Sequence, residues 1–316
     1  MKNSRTALWI AAAALLAVQP AFSQSGNQGQ GQATITVLPK HDGEVPSSVA
    51  NQDLSVKVNG KNAKVTQWRP FAGSANSLEL VLLIDGSARN SLGGQLDEIA
   101  QFVKGLPPNT RAALAYMQNG RAVFAGALSA DHNEVLRGLH LPGGSPGSDA
   151  SPYFCLSDLA KHWPSNDLQA RREVVMVTDG VDGYDRSYDP NDPYVQAAIT
   201  DSVRARLVVY SIYWKNQGRA DNSWYANNTG QNLLVEVTQA TGGKSFWQGM
   251  GNPVSLAPFL EELSRRFLNQ YELGFSSPLD GKAEVESFKL KLSAPGTEVD
   301  APGQVMVAPA GQAKNN

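Results

Sequence analysis

Apolar and polar residues alternate in different rhythms along this chain, and each rhythm predicts a different element. Ala33 to Val37 alternates with period two, as does Leu54-Ser55-Val56-Lys57-Val58, which runs into Asn59-Gly60 before Ala63-Lys64-Val65 resumes the pattern. Period two marks strands with one buried face, and Asn-Gly between two such runs predicts a tight turn. From Leu78 to Ile84 the chain is almost continuously apolar, the pattern of a strand buried on both faces. Leu92, Leu96, Ile99, Phe102 and Val103 then recur at helical spacing. Shorter strands follow at Ala112 to Met117 and Ala122 to Phe124, with a short helix from Asn133 to Leu139. Helices are predicted at Tyr153 to Trp163, stopped by Pro164, and at Tyr194 to Arg204, Asn232 to Ala240 and Val254 to Phe267. Buried strands are predicted at Glu173 to Thr178 and Leu207 to Tyr213, and alternating strands at Gln270 to Phe275 and Val285 to Leu292, with Asp280-Gly281 between the last two.

Strands alternating with helices predict an open, mostly parallel, Rossmann-like α/β sheet covered by helices, with small β segments flanking it at both ends. The boundaries that follow are a small β region at 33–75, the α/β domain at 76–269, β strands at 270–308 that pack with 33–75, and a disordered tail at 309–316. Ahead of these, Lys2 and Arg5 precede an apolar run from Ala7 to Val18, and Ala21-Phe22-Ser23 supplies the small residues of a cleavage site. Residues 1–23 therefore form a secretory signal peptide, and the Gln, Gly, Ser and Asn of 24–32 a flexible leader. The product is expected outside the cytoplasm, in the periplasm or the medium, with no transmembrane segment after cleavage.

Composition narrows the function classes. Lys and Arg number 27 against 29 Asp and Glu, a net charge of -2 that becomes -4 once Lys2 and Arg5 are removed. A nucleic-acid binder needs a concentrated basic face, which is missing here. The single cysteine, Cys155, excludes an intrachain disulfide and a cysteine zinc cluster, and it reads as a small buried hydrophobe. His41, His132, His140 and His162 form no closely spaced pair for metal or catalysis.

The candidate chemistry follows the strands. Asp85-Gly86-Ser87 stands directly after the most apolar strand and Asp179-Gly180 after the second. Open α/β sheets bind ligands beyond the C-terminal ends of their strands. Two carboxylates and a hydroxyl converging there suit a hard divalent cation, and they equally suit capping of the helix that follows. Spacing alone does not choose between the two roles.

In this order the residues resemble a von Willebrand factor type A domain, in particular the secreted A-domain-related proteins of acidobacteria. That family's metal-ion-dependent adhesion site opens with Asp-x-Ser-x-Ser, takes a Thr from a second loop and closes with an Asp. The resemblance implies Asp85, Ser87, Ser129 and Asp179 as metal ligands, with Ser129 in the threonine position, and Mg²⁺ or Mn²⁺ as the cation. Tyr271-Glu272-Leu273-Gly274-Phe275 is similar to the usual ending of these relatives. Arg89 departs from the pattern, because it replaces the third ligand and has five donors and no acceptor. Turned inward it pairs with Asp85 or Asp179 in place of the cation; turned outward it leaves Ser91 or water to complete a weaker site. Metal binding is thus expected to be weak or absent.

Other residues have plainer roles beside functional ones. Asp182, Asp185, Asp189 and Asp192 do not match the helix–loop–helix calcium spacing and suit a solvated loop. Trp224 and Tyr225, expected in the loop from Trp214 to Gly230, either pack locally or form a protein- or glycan-binding rim on the same edge as Asp85. The function implied is a secreted, non-enzymatic binding or adhesion module. It recognises a protein or cell-envelope component, through a carboxylate or other anionic group, at the C-terminal edge of the sheet. The alternatives are an extracellular metal-assisted hydrolase using Asp85 or Asp179, and an envelope scaffold without a working site.

Overall fold

A computed structural model describes residues 28–41, 49–72, 77–143, 151–185, 189, 191–215, 223–249, 251–279 and 281–310. Residues 1–23, expected as a signal peptide, together with Asp280 and the end of the expected tail, lie outside the described residues. In chain order the strands β1 (Gln28–Pro39), β2 (Leu54–Val58), β3 (Lys61–Pro70) and β4 (Leu78–Asp85) come first. Then come α1 (Leu96–Lys104), β5 (Thr110–Gln118), β6 (Arg121–Phe124), α2 (His132–Leu136) and α3 (Pro152–Lys161). The middle continues with β7 (Arg171–Thr178), α4 (Pro193–Arg204), β8 (Leu207–Tyr213), α5 (Trp224–Thr241), β9 (Ser245–Phe246) and α6 (Ala257–Leu268). The chain ends with β10 (Gln270–Pro278), β11 (Glu284–Leu292), β12 (Thr297–Asp300) and β13 (Gln304–Pro309).

These strands form two sheets, and their arrangement corrects the expected fold class. The larger sheet has seven strands in the order β10-β3-β2-β11-β13-β1-β12, and a further β10–β1 pairing closes six of them into an antiparallel barrel. The second sheet is mixed, in the order β6-β5-β4-β7-β8-β9, with β6 antiparallel to β5. One open, mostly parallel sheet with minor β segments at its ends does not describe the molecule, because the chain termini build a barrel with its own core. Ile35, Val37, Val56, Val58, Leu273, Phe275, Phe288 and Val305 fill it. Alternation in the sequence suggests that 270–308 packs with 33–75, but not which strands pair or that their pairing closes a barrel.

The barrel also corrects the flexible leader. β1 begins at Gln28 and pairs with β10 from Gln28↔Pro278 to Thr36↔Gln270. The Gly and Gln composition that suggested disorder has a packing cause: a side chain at Gly29 would strike Val307 and one at Gly31 would strike Phe275. Low hydrophobicity there reflects strands packed too closely for side chains.

In the mixed sheet β4 runs parallel to both β5 and β7, and β7 parallel to β8. The apolar run of β4 is explained by its two faces. Leu80, Leu82 and Ile84 enter a core with α1 and α6, while Val81 and Leu83 enter another with α3, α4 and α5. α6 starts at Ala257 rather than Val254, because Glu98 of α1 accepts from Leu256 N and Ala257 N at 2.6 and 2.9 Å and so supplies the cap.

The barrel sits against the N-terminal ends of the parallel strands, and the seam contains buried charge. Arg171 donates to the Phe267 carbonyl at 2.9 Å and to the Gln270 amide oxygen, and it lies 3.8 Å from Glu173. Gln270 donates to the Tyr210 hydroxyl at 3.2 Å, and Arg266 joins Asp300 at 2.7 Å across the seam. Glu173 is fully buried, and neither of its carboxylate oxygens accepts a hydrogen bond of ordinary geometry. Burial pushes its carboxyl up to about 7, with Arg171 and the Gln270 amide pulling partly the other way. Among the described residues, no helix is long and apolar enough to cross a membrane.

Candidate functional site

Asp85 is the last residue of β4, and Thr178 and Asp179 end β7 beside it, since Ile84 is in register with Val177. Both strands point their C-terminal ends at the same edge, so Asp85, Ser87 and Asp179 come together there. Asp85 Oδ1 accepts from Ser87 N at 2.8 Å and from Ser87 Oγ at 2.5 Å, and Oδ2 accepts from Thr178 Oγ1 at 2.7 Å. All three side chains are buried. Asp179 Oδ1 accepts from Val181 N at 3.0 Å, which turns the chain sharply after the strand. A buried carboxylate held by two hydroxyls and a backbone amide is a fully hydrogen-bonded lock between two strand ends.

The turn depends on two glycines in direct backbone contact. Gly180 has a φ of 68°, and a side chain on it would meet the Gly230 carbonyl, while one on Gly230 would meet the Asp179 carbonyl. α5 thus presses its backbone onto the Asp179 loop, and a methyl group on either partner forces them apart.

A second loop adds Ser151 and Tyr153, which sequence reasoning did not assign, and it corrects the solvated-loop expectation for Asp182, which is buried. Ser151 is the N-cap of α3, accepting from Phe154 N at 3.4 Å and donating to Asp182 Oδ2 at 3.1 Å. Tyr153 donates to the Gly180 carbonyl at 2.8 Å, and burial followed by the charges of Asp182 and Asp179 holds its hydroxyl protonated. Asp182 Oδ1 accepts from Tyr184 N and Asp185 N at 2.8 and 3.3 Å, and burial raises its carboxyl from the usual value. The available signal for Ser151 was Ser followed by Pro152 at the start of a helical run, a capping pattern.

Ser129 is not at this edge. It forms a bridge with Ala112, near the beginning of β5, whereas Asp85 is in register with Met117 at the end of that strand. Five residues of strand separate the two positions, about 16 Å. Its hydroxyl donates instead to Glu134 at 2.7 Å and accepts from Asp131 N at 3.1 Å. The expectation failed because the resemblance placed Ser129 by its hydroxyl and its order in the chain, whereas Ser129 lies beside the start of β5 and Asp131 caps α2. Ser91 is also engaged elsewhere, donating to the Ala88 carbonyl at 2.7 Å and accepting from Trp214 Nε1 at 3.0 Å. The backbone of Arg89 opens the 3-10 turn Arg89–Gln95, and its side chain lies outside the described residues.

As donors for a cation, Asp85, Ser87, Thr178 and Asp179 are all oxygen, which is the class Mg²⁺ and Mn²⁺ prefer. Their hydrogen bonds do not form a cation cage, because both oxygens of Asp85 are held by hydroxyls of the chain. No group of three His, Cys, Asp or Glu side chains suited to a metal occurs among the described residues. A cation would require Ser87 and Thr178 to turn away from Asp85.

Exposed aromatic rings stand on the elements that adjoin the edge. Trp224 and Tyr225 are 70% and 55% exposed, and they open α5 rather than lying in a loop. Ser223 starts that helix early by accepting from Ala226 N at 3.1 Å. Tyr184, Tyr194 and Phe154 pack edge to face or tilted, with ring centroids 4.9 to 5.3 Å apart, and both tyrosines are exposed. His132, His140 and His162 bond elsewhere, to the Thr110 carbonyl, the Leu141 carbonyl and Asp158.

Neither a family model nor a curated protein matches this chain. Among solved structures it is similar to an aerotolerance-related membrane protein from Bacteroides fragilis, at 13% identity over 60% of this chain and 98% of that one, with a TM-score of 0.41. It is also similar to a conserved hypothetical protein, BatB, from Bacteroides thetaiotaomicron, at 13% identity over 60% and 97%, with a TM-score of 0.43. The VWA domain of SpRpn10 aligns at 11% identity over 59% and 95%, with a TM-score of 0.36. TM-scores this low do not decide a family or a function.

Proposed function

We propose that this protein is an exported, non-enzymatic binding module of the von Willebrand factor A type, docking a protein or other cell-envelope component at the edge formed by the ends of β4 and β7. The observation that carries the reading is the juxtaposition of a rigid polar floor and an exposed aromatic rim. Asp85, Ser87, Thr178 and Asp179 are buried and bonded to one another or to backbone, while four exposed rings stand on the adjoining elements. These are Tyr184 in the chain after Asp179, Tyr194 in the first turn of α4, and Trp224 and Tyr225 at the start of α5, which meets the Asp179 loop at Gly230. Exposed Trp and Tyr bring large contact area at little entropic cost, and a fixed floor keeps them positioned. The partner contact that the sequence supports is a carboxylate paired with Arg89, and binding of Mg²⁺ or Mn²⁺ is weak or absent in this reading. Turnover is not part of it, since Ser87 is bonded to a carboxylate without a histidine to relay its proton.

Capture from envelope extracts with and without a chelator tests the proposal. The same partner recovered in both, and lost from Trp224→Ala/Tyr225→Ala, is the expected result. Capture that requires the cation restores a working metal site. No capture, together with hydrolysis of phosphate or carboxylate esters, points to the hydrolase instead, and neither activity leaves the scaffold.

A further inference from the structure

Away from that edge, a cavity of about 570 Å³ opens at the seam where the end of α4 meets the barrel, and one of about 560 Å³ lies between α3, the loop at 163–168 and α4; Arg204 and Arg206 line both. The larger is walled by Gln30, Gln32, Thr66 and Gln67, and among the described residues no acidic one lines it. Its charged lining is the two arginines, with the Glu272 carboxylate behind the wall, accepting from Gln67 Nε2 at 2.9 Å, so the two cations outnumber that anion. Arg204 has an ordinary explanation, since a cation in the last turn of a helix complements its dipole. Arg206 does not.

Among the described residues three that are not glycine have positive φ, namely Asn59, Asn119 and Arg206. The two asparagines precede glycines in hairpin turns, where Asn is a usual occupant. Arg206, with a φ of 57°, directly follows the end of α4, the position where helices favour glycine. A long side chain held in this conformation is over-determined by its surroundings, and such positions cluster at ligand sites. Its guanidinium donates to Gln32 Oε1 at 2.6 Å and to the Leu168 carbonyl at 2.9 Å, which fixes it at the mouth of both cavities.

We propose that this seam binds a hydroxylated organic anion of the sugar-acid class. Arg204 and Arg206 receive the carboxylate, and the amides of Gln30, Gln32 and Gln67 bond the hydroxyls, Gln32 through its Nε2 because its Oε1 accepts from Arg206, and Gln67 through its Oε1 because its Nε2 donates to Glu272 at 2.9 Å. Arginine pairs carboxylates through parallel hydrogen bonds, and a primary amide both donates to and accepts from a hydroxyl. A volume of about 570 Å³ lies in the range of small-ligand sites. Carboxylate and phosphate share the arginine chemistry, so the test separates them.

Calorimetric titration of the purified protein with trigalacturonate, with maltotriose as neutral control and inorganic phosphate as anion control, gives the direct test. Trigalacturonate is expected to bind, maltotriose not to bind, and phosphate to bind at least tenfold more weakly. Arg204→Ala is expected to lower the affinity for trigalacturonate at least tenfold with no change in Tm. Arg206→Gly is expected to do the same with Tm unchanged or raised, because glycine adopts that conformation without strain. Absence of trigalacturonate binding overturns the proposal, as does equal binding by maltotriose or phosphate. Unchanged affinity in Arg204→Ala, or an Arg206→Gly protein that loses stability and keeps affinity, makes the arginines a structural latch and overturns it too.

Discussion

Replacing Glu173 by Gln isolates the energetic effect of the buried carboxyl at the seam. Its folded value of about 7 lies above the ordinary 4.5, so the folded protein holds a proton that the unfolded chain has released. Below pH 4.5 both states are protonated and the group imposes no penalty. As pH rises from 4.5 to 7 the unfolded state ionises first and stability falls, and above 7 the penalty is constant. At about 1.4 kcal/mol for each pH unit, the loss is about 3 kcal/mol. Glutamine matches the shape of the protonated carboxyl and does not titrate, so Glu173→Gln is expected to gain about 3 kcal/mol over the natural protein at pH 8 and roughly nothing at pH 4. Arg171 keeps its bonds to the Phe267 carbonyl and Gln270 in the variant. Urea unfolding of both proteins between pH 4 and 8 measures the difference, and other titrating groups cancel in the comparison. The opposing effect is the ion pair with Arg171, at 3.8 Å. Breaking a buried pair that stabilises the fold costs about 3–5 kcal/mol, so a Gln variant less stable at pH 8 refutes the reasoning.

The candidate edge yields further expectations. Thr178→Val removes the hydroxyl bonded to Asp85 Oδ2 and is expected to cost about 1–3 kcal/mol in urea unfolding, with a near-zero change placing that carboxylate in contact with water. Gly230→Ala drives a methyl into the Asp179 carbonyl and is expected to cost about 2 kcal/mol or more, together with loss of partner capture. Ser129→Ala is expected to leave capture unchanged, because Ser129 sits at the other end of β5; reduced capture contradicts that placement. Trp224→Ala/Tyr225→Ala is expected to change stability by no more than about 0.5 kcal/mol, and unfolding of that protein contradicts their role as free rim residues.

Local periodicity made the mixed sheet's strands legible one by one, and it placed Asp85 and Asp179 at strand ends because a buried strand must stop where polar turn residues begin. It could not show that β1 and β10 pair, since nothing in either segment records a partner at the other end of the chain. Composition misled at Gln28 to Gln32, where glycines needed for close strand contact resembled a disordered leader. Ser129 was chosen by its hydroxyl and its order in the chain, which carry no information on which end of β5 it adjoins. Ser151 was not assigned, although a serine before Pro152 is a capping pattern, and its bond to Asp182 depends on a contact across 31 residues that only the fold supplies.

The central claim is that a partner docks on the edge bounded by Asp85, Asp179 and the aromatic rim. Photo-crosslinking in cells tests it most directly, with a benzophenone amino acid placed at Tyr225 and, as a comparison, at the exposed Val123 on β6. The account predicts one discrete adduct from position 225, persisting after chelation and lost in Gly230→Ala, with none from position 123. Adducts of the same partner from both positions, or from position 123 alone, contradict it.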